Sequence, residues 1–236
     1  MKHNIRIATA LFAAVFFLQS ASAQVRFGVK AGLNLASISY SDDFISVAES
    51  VLETDLSTGM VPSFHVGAQA EFDFGGPIGL SAGAQLSVKG GKLSGDGTAL
   101  GQTFTFTSTA SPMYLQVPVA VTFRKNGFYA GVGPYVGFGI GGKVKNKTEA
   151  AGQTDEESED IKFGSSEDDD FASLDYGAGI ELGYEFSNIR VSASYSLGLA
   201  NIAPKDMVDQ AKDQGMDISA KNNVIGVSVA YMFGNN

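Results

Sequence analysis

The chain has 236 residues, 44% of them hydrophobic, enough for one domain with a large buried or lipid-facing surface. It contains no cysteine, which excludes a disulfide scaffold, a thiolate metal site and a cysteine nucleophile. Its formal charge of −9 excludes nucleic acid as a partner, because neutralising phosphates requires a basic patch.

The first residues carry Lys2 and Arg6, then the apolar run from Ile7 to Leu18, then Ala21-Ser22-Ala23. A charged start, an apolar stretch and small residues at a cleavage point predict an exported chain, cut after Ala23. The run is too short for a spanning helix, which needs roughly 20 apolar residues. Residues 1–23 are thus expected to be a signal peptide, and 24–236 one outer-membrane domain. Without Lys2 and Arg6 the mature chain has 14 basic groups against 25 acidic ones, a net charge of −11.

From here apolar and small-or-polar residues alternate. Side chains of a strand point to opposite faces in turn, so a period of two separates a greasy face from a polar one. The first segment, Val25 to Ile38, sets Phe27, Val29, Ala31, Leu33 and Leu35 against Arg26, Gly28, Lys30, Gly32 and Asn34. The second, Ser63 to Phe74, sets Phe64, Val66 and Phe72 against His65, Gln69, Glu71 and Asp73. The third, Ile78 to Lys89, has Ser81, Gln85, Ser87 and Lys89 on its polar side. The fourth runs from Met113 to Phe123, and the fifth, from Phe128 to Gly141, gathers glycines on one parity. The sixth, Leu174 to Phe186, sets Tyr176, Ile180, Leu182 and Tyr184 against Asp175, Glu181 and Glu185. The seventh, Ile189 to Leu199, carries Arg190 and a row of serines, and the eighth ends at Tyr231-Met232-Phe233.

No long amphipathic helix is available to cover the greasy face. The economical solution is lipid outside and a polar bore inside. The predicted fold is therefore all-β: an eight-stranded antiparallel up-and-down transmembrane β-barrel. Connections two, four and six are tight: Gly75-Gly76-Pro77, Arg124 to Gly127 with its Asn126-Gly127 turn, and Ser187-Asn188. The other four are long, which predicts short periplasmic turns and long extracellular loops. Phe72, Phe74, Phe123, Phe128, Tyr184, Phe186, Tyr231 and Phe233 fall at the tight-turn ends, where an interfacial aromatic girdle belongs.

Within the long loops, Asp42 to Leu56 and Lys205 to Asp213 fit short helices and equally irregular chain. Thr148 to Asp170 is dense in acidic residues and reads as a solvated, mobile loop.

Phe27-Gly28-Val29-Lys30-Ala31-Gly32-Leu33-Asn34 resembles the first strand of PorT-like outer-membrane β-barrel proteins. Tyr114-Leu115-Gln116-Val117-Pro118-Val119 is similar to that family's fourth strand. Leu174-Asp175-Tyr176-Gly177 and the stretch from Tyr195 to Ile202 are similar to its sixth and seventh. The resemblance implies a small outer-membrane barrel, and for one member of the family a part in a type IX secretion system.

The inward charges Arg26, Lys30, Glu71, Asp73, Asp175, Glu181, Glu185 and Arg190 form the candidate site. In a narrow bore they must find partners, so an electrostatic plug is expected, with a small porin-like channel as the alternative. His65, the sole histidine of the mature chain, suggests a lumen enzyme if Ser81 or Ser87 stands beside it, but no carboxylate is fixed nearby. Gly137 to Val144 approaches a phosphate-binding loop and fails at Val144, so lumen glycines explain it better. A soluble calycin barrel is disfavoured by the charged inward positions and the absence of tryptophan. No catalytic residue, cofactor or metal is predicted. The expected partners are outer-membrane lipid and lipopolysaccharide, the barrel-insertion machinery, and other envelope proteins met through the loops.

Overall fold

The structure is a computed structural model that describes residues 24–52, 54–99, 102–150 and 152–233. The predicted signal peptide, residues 1–23, lies outside them. The described chain is one antiparallel sheet of eleven strands with two short helices. In chain order these are β1 (Gln24–Tyr40), α1 (Asp42–Leu52), β2 (Leu56–Gly59), β3 (Val61–Asp73), β4 (Ile78–Val88) and β5 (Gly91–Ala99). There follow β6 (Gln102–Lys125), β7 (Phe128–Ala150), β8 (Gln153–Asp160), β9 (Leu174–Phe186), β10 (Ile189–Gly198), α2 (Lys205–Asp213) and β11 (Ala220–Phe233).

Sequence reading predicts eight strands and the structure has eleven. The additional three, β2, β5 and β8, all fall within stretches predicted as loops. The strand order is β2-β5-β6-β4-β3-β1-β11-β10-β9-β7-β8, with a further β6–β7 pairing. That pairing links the eight strands β1, β3, β4, β6, β7, β9, β10 and β11 in a circuit, each bonded to a neighbour on either side. β6 and β7 have 24 and 23 residues. Crossing a bilayer takes roughly 9–11 residues of tilted strand, so much of this hairpin stands clear of the circuit. β5 pairs with its β6 arm and β8 with its β7 arm. The acidic stretch predicted as a mobile loop is therefore in part a strand: Asp155 to Asp160 pair with Lys143 to Thr148, and cross-strand lysines offset part of the repulsion.

Alternation decides which side chains face where. Leu33 is 73% exposed, and Phe27, Val66, Val132, Leu182 and Val227 on the same outer face are also exposed. Their strand neighbours Arg26, His65, Glu181 and Ser228 point inward, and Arg26, His65 and Ser228 are buried. This is the reverse of a water-soluble fold, in which large apolar side chains go inside. The turns follow their residues: Asn126 and Gly127 have φ of 53° and 81°, the left-handed pair that a two-residue hairpin needs.

At the long-loop end a small apolar core knits strands to loops. Ile38, Ile161, Phe171, Ile202, Ala203 and Ala220 are buried together, with Tyr40, Val144, Phe163 and Val208 packed against them. It folds residues 161–173 and 200–213 down onto the circuit's rim.

Candidate functional site

The bore holds three groups of charges at different depths. At the tight-turn end, parity and register place Arg26 opposite Glu71 and Arg190 opposite Glu185. The four side chains meet across the bore. The Arg26 guanidinium donates to Glu71 Oε2 at 2.9 Å and to Glu185 Oε1 at 2.6 Å. Arg190 donates to Glu71 Oε1 and to Glu185 Oε2, both at 2.5 Å. Each carboxylate therefore bridges two arginines, and all four groups are buried. The Arg190 guanidinium also lies 3.6 Å from the centre of the Tyr129 ring. Arg124, from the end of β6, donates to Asp73 and lies 3.6 Å from Glu71 Oε2.

Midway along, the Lys30 ammonium donates to Glu181 Oε2 at 2.7 Å, and the Ser192 hydroxyl donates to Glu181 Oε1 at 2.6 Å. His65 sits between Asn34 and Ser228. Asn34 Nδ2 donates to the Val88 carbonyl, which leaves Asn34 Oδ1 to accept from His65 Nδ1 at 2.7 Å. His65 Nε2 is then the acceptor for the Ser228 hydroxyl at 2.9 Å. The ring fits because Gly32 has no Cβ, which would stand 2.5 Å from the imidazole. Neither Ser81 nor Ser87, the serines that a lumen enzyme would need, bonds to His65: its ring nitrogens are taken by residues of β1 and β11. Lys30, Asn34, His65, Gln85, Gln116 and Glu181 face a polar chamber of about 110 Å³.

At the long-loop end, the Lys89 ammonium donates to Asp175 Oδ2 at 2.8 Å, with the two side chains 1% and 0% exposed. Asn222 Nδ2 donates to the same oxygen at 3.2 Å. Lys89 lies 4.1 Å from the Tyr135 ring centre and 5.4 Å from that of Tyr114. Phe163, from the segment between β8 and β9, packs edge-on against Tyr114 at 5.6 Å. Gly139 leaves room for it, since a Cβ there would stand 2.3 Å from the Phe163 ring.

The eight predicted charges thus divide among three sites. Arg26, Glu71, Glu185 and Arg190 come together; Lys30 joins Glu181; Asp73 turns to Arg124; Asp175 lies at the other end. Lys89 and Arg124 are absent from the predicted set. Lys89 was legible, because it continues the polar parity of Ser81, Gln85 and Ser87. Arg124 was legible too: the sequence reading places it in the turn, but β6 runs on to Lys125 and Arg124 continues the parity of Gln116 and Thr122. Of the predicted aromatic girdle, Phe74, Phe123, Phe128, Tyr184, Phe186, Tyr231 and Phe233 are exposed on the outer face, and Phe72 is half-buried. Among the described residues, no cluster of His, Asp and Glu is arranged to hold a metal ion. No helix among them is long and apolar enough to cross a membrane.

An antiparallel sheet with a greasy exterior and a bore of ion pairs defines a β-barrel membrane protein. The chain belongs to the outer membrane protein beta-barrel domain family, which matches residues 17–203, and it resides in the cell outer membrane. No curated protein matches it. Among solved structures it is similar to Ail, the attachment invasion locus protein of Yersinia pestis: 14% identity, 89% of this chain and 99% of that one, TM-score 0.37. It is similar to Neisserial surface protein A at 13% identity, over 88% of this chain and 97% of that one, TM-score 0.37. It is also similar to OprG from Pseudomonas aeruginosa at 12% identity, over 90% and 98%, TM-score 0.33. At that level the likeness carries nothing about function.

Proposed function

We propose that the protein is a non-enzymatic structural or interaction barrel. In this reading the eight-strand circuit spans the outer membrane with its tight turns in the periplasm, the bore is closed to ions, and the β5–β8 sheet is held outside for partners. One observation carries it: the five bore cations Arg26, Lys30, Lys89, Arg124 and Arg190 are matched by Glu71, Asp73, Asp175, Glu181 and Glu185. A conducting pore keeps charges solvated along its path, whereas these are spent on one another. Planar-bilayer recording of the purified protein tests it: no steady current is expected, and a reproducible charge-selective conductance would establish the porin-like alternative.

The partners proposed are outer-membrane lipid and lipopolysaccharide, the barrel-insertion machinery, and envelope proteins that meet the extracellular sheet. A PorT-like, secretion-associated role is one version of this reading. Crosslinking from β8 in intact cells, followed by identification of the adducts, is its test. Export by residues 1–23 predicts that the mature protein begins at Gln24, which N-terminal sequencing checks.

A second reading has one observation in its favour: Ser228, His65 and Asn34 stand in the order nucleophile, base and orienting group. Ser228 is 1% exposed, which leaves a substrate no approach. Labelling of Ser228 by a fluorophosphonate, abolished by His65→Ala, is the result that would favour acyl transfer.

A further inference from the structure

α1 is an amphipathic helix whose apolar side the protein covers only in part. At 3.6 residues per turn, Phe44, Ile45, Val47, Ala48, Val51 and Leu52 share one side, and Asp42, Asp43, Ser46, Glu49 and Ser50 share the other. A surface helix normally turns its apolar stripe to the core and its charges to solvent. Here two residues of the polar side, Asp43 and Glu49, are tied to the protein. The Asp217 backbone N–H donates to Asp43 Oδ2 at 2.7 Å, and the Leu56 N–H donates to Glu49 Oε1 at 2.9 Å. Ser41, which starts the helix, accepts from the Phe44 N–H at 3.4 Å and from the Ser219 N–H at 2.9 Å. No residue of α1 is buried: Phe44, stacked on Tyr40 at 4.6 Å, Ile45 and Ala48 are half-buried, while Val47, Leu52 and, at 75%, Val51 are exposed.

What lies beside that stripe names its occupant. Val66 and Phe64 belong to the exposed outer face of β3, and Met60, 56% exposed, continues the same parity just before the strand. Met60 and Ile45 of α1 line one groove of about 510 Å³, together with Tyr40 and Leu56. The greasy outer wall is therefore continuous, through Met60, with the apolar side of α1.

We propose that α1 lies in the plane of the outer leaflet and seats its apolar side on lipid acyl chains. The wall's lipid contact then extends onto a helix that the loops hold by its charged side. In-plane helices of this kind bind through buried apolar area. Asp43 and Glu49 need no cationic headgroup, because they already accept from backbone N–H groups of the protein. This goes beyond the plugged, structural reading and stands whether or not the bore conducts.

The chain has no tryptophan, so a single introduced indole reports without background. Val51→Trp, reconstituted in bilayers of brominated and of plain phospholipid, is the test, with Glu156→Trp on the exposed β8 as the aqueous control. Retention of heat-modifiable gel mobility shows that each variant folds. Blue-shifted emission from Val51→Trp, quenched several-fold by brominated chains and shielded from iodide, is the expected result. Red-shifted emission quenched by iodide as in Glu156→Trp overturns the proposal. So does an indole shielded from iodide yet indifferent to bromine, whose emission changes with protein density in the bilayer; that outcome assigns the stripe to a second copy of the chain.

Discussion

In the proposed reading the two ends of the bore are closed by different means. At the tight-turn end the seal is built wholly from wall residues: Arg26, Glu71, Glu185 and Arg190 project from four strands and satisfy one another. At the long-loop end a single buried pair, Lys89 and Asp175, lies beneath Tyr114, Tyr135 and a phenylalanine that arrives from a loop. A wall seal is as rigid as the sheet that carries it. A loop seal depends as well on the small core in which Ile161, Phe171 and Ile202 pack against Ile38 of β1 and Ala220 of β11.

The largest effect is expected where that contrast is removed. Arg190→Leu leaves Glu71 and Glu185 each short of a partner inside the bore. Uncompensated buried charge should cost roughly 3–5 kcal/mol, read from urea unfolding followed by gel mobility. The double variant Arg190→Leu with Glu71→Gln should regain part of that loss.

Conductance separates the two seals. Arg190→Ala and the pair Lys89→Ala with Phe163→Ala open opposite ends of one path, so each is expected to stay silent in planar bilayers. Only their combination should pass current. A current from either alone would mean that the other end is no barrier.

A smaller effect is expected from Gly32→Ala. Its Cβ would stand 2.3 Å from the Val227 carbonyl oxygen and 2.5 Å from the His65 ring, so strand and ring must shift. Overpacking of this kind costs roughly 1–3 kcal/mol, measurable in the same unfolding assay. Phe163→Ala alone should speed proteolysis within residues 161–173 and leave the urea midpoint of the wall unchanged. Lys143→Ala removes an ion pair whose members are 61% and 86% exposed, and the midpoint should not move measurably.

Much of the wall was legible because parity is a local property. Arg26, Glu71, Glu185 and Arg190 can be assigned to one face by counting, and tight turns set their levels along the bore. The extended arms of β6 and β7 were less so. The alternating Thr103, Phe104, Thr105, Phe106 and Thr107 is a β signal, but one that a wall of membrane-crossing length does not require. The strand β8 had no such signal: a row of Asp and Glu has little strand preference, and its pairing with the distant β7 brings Lys143, Lys145 and Lys147 opposite it. His65 shows the limit most clearly. Its neighbours Asn34 and Ser228 come from strands at opposite ends of the sequence, brought together where β1 pairs with β11.

By itself the sequence determined the greasy outside and the charged inside, since a period of two sorts side chains whatever the strands pair with. Tertiary structure alone decided which charge meets which across the bore, that Phe163 packs on Tyr114, and that Val47, Val51 and Leu52 of α1 are left exposed. Those outcomes depend on contacts between segments far apart in the chain, and no local pattern of residues encodes them.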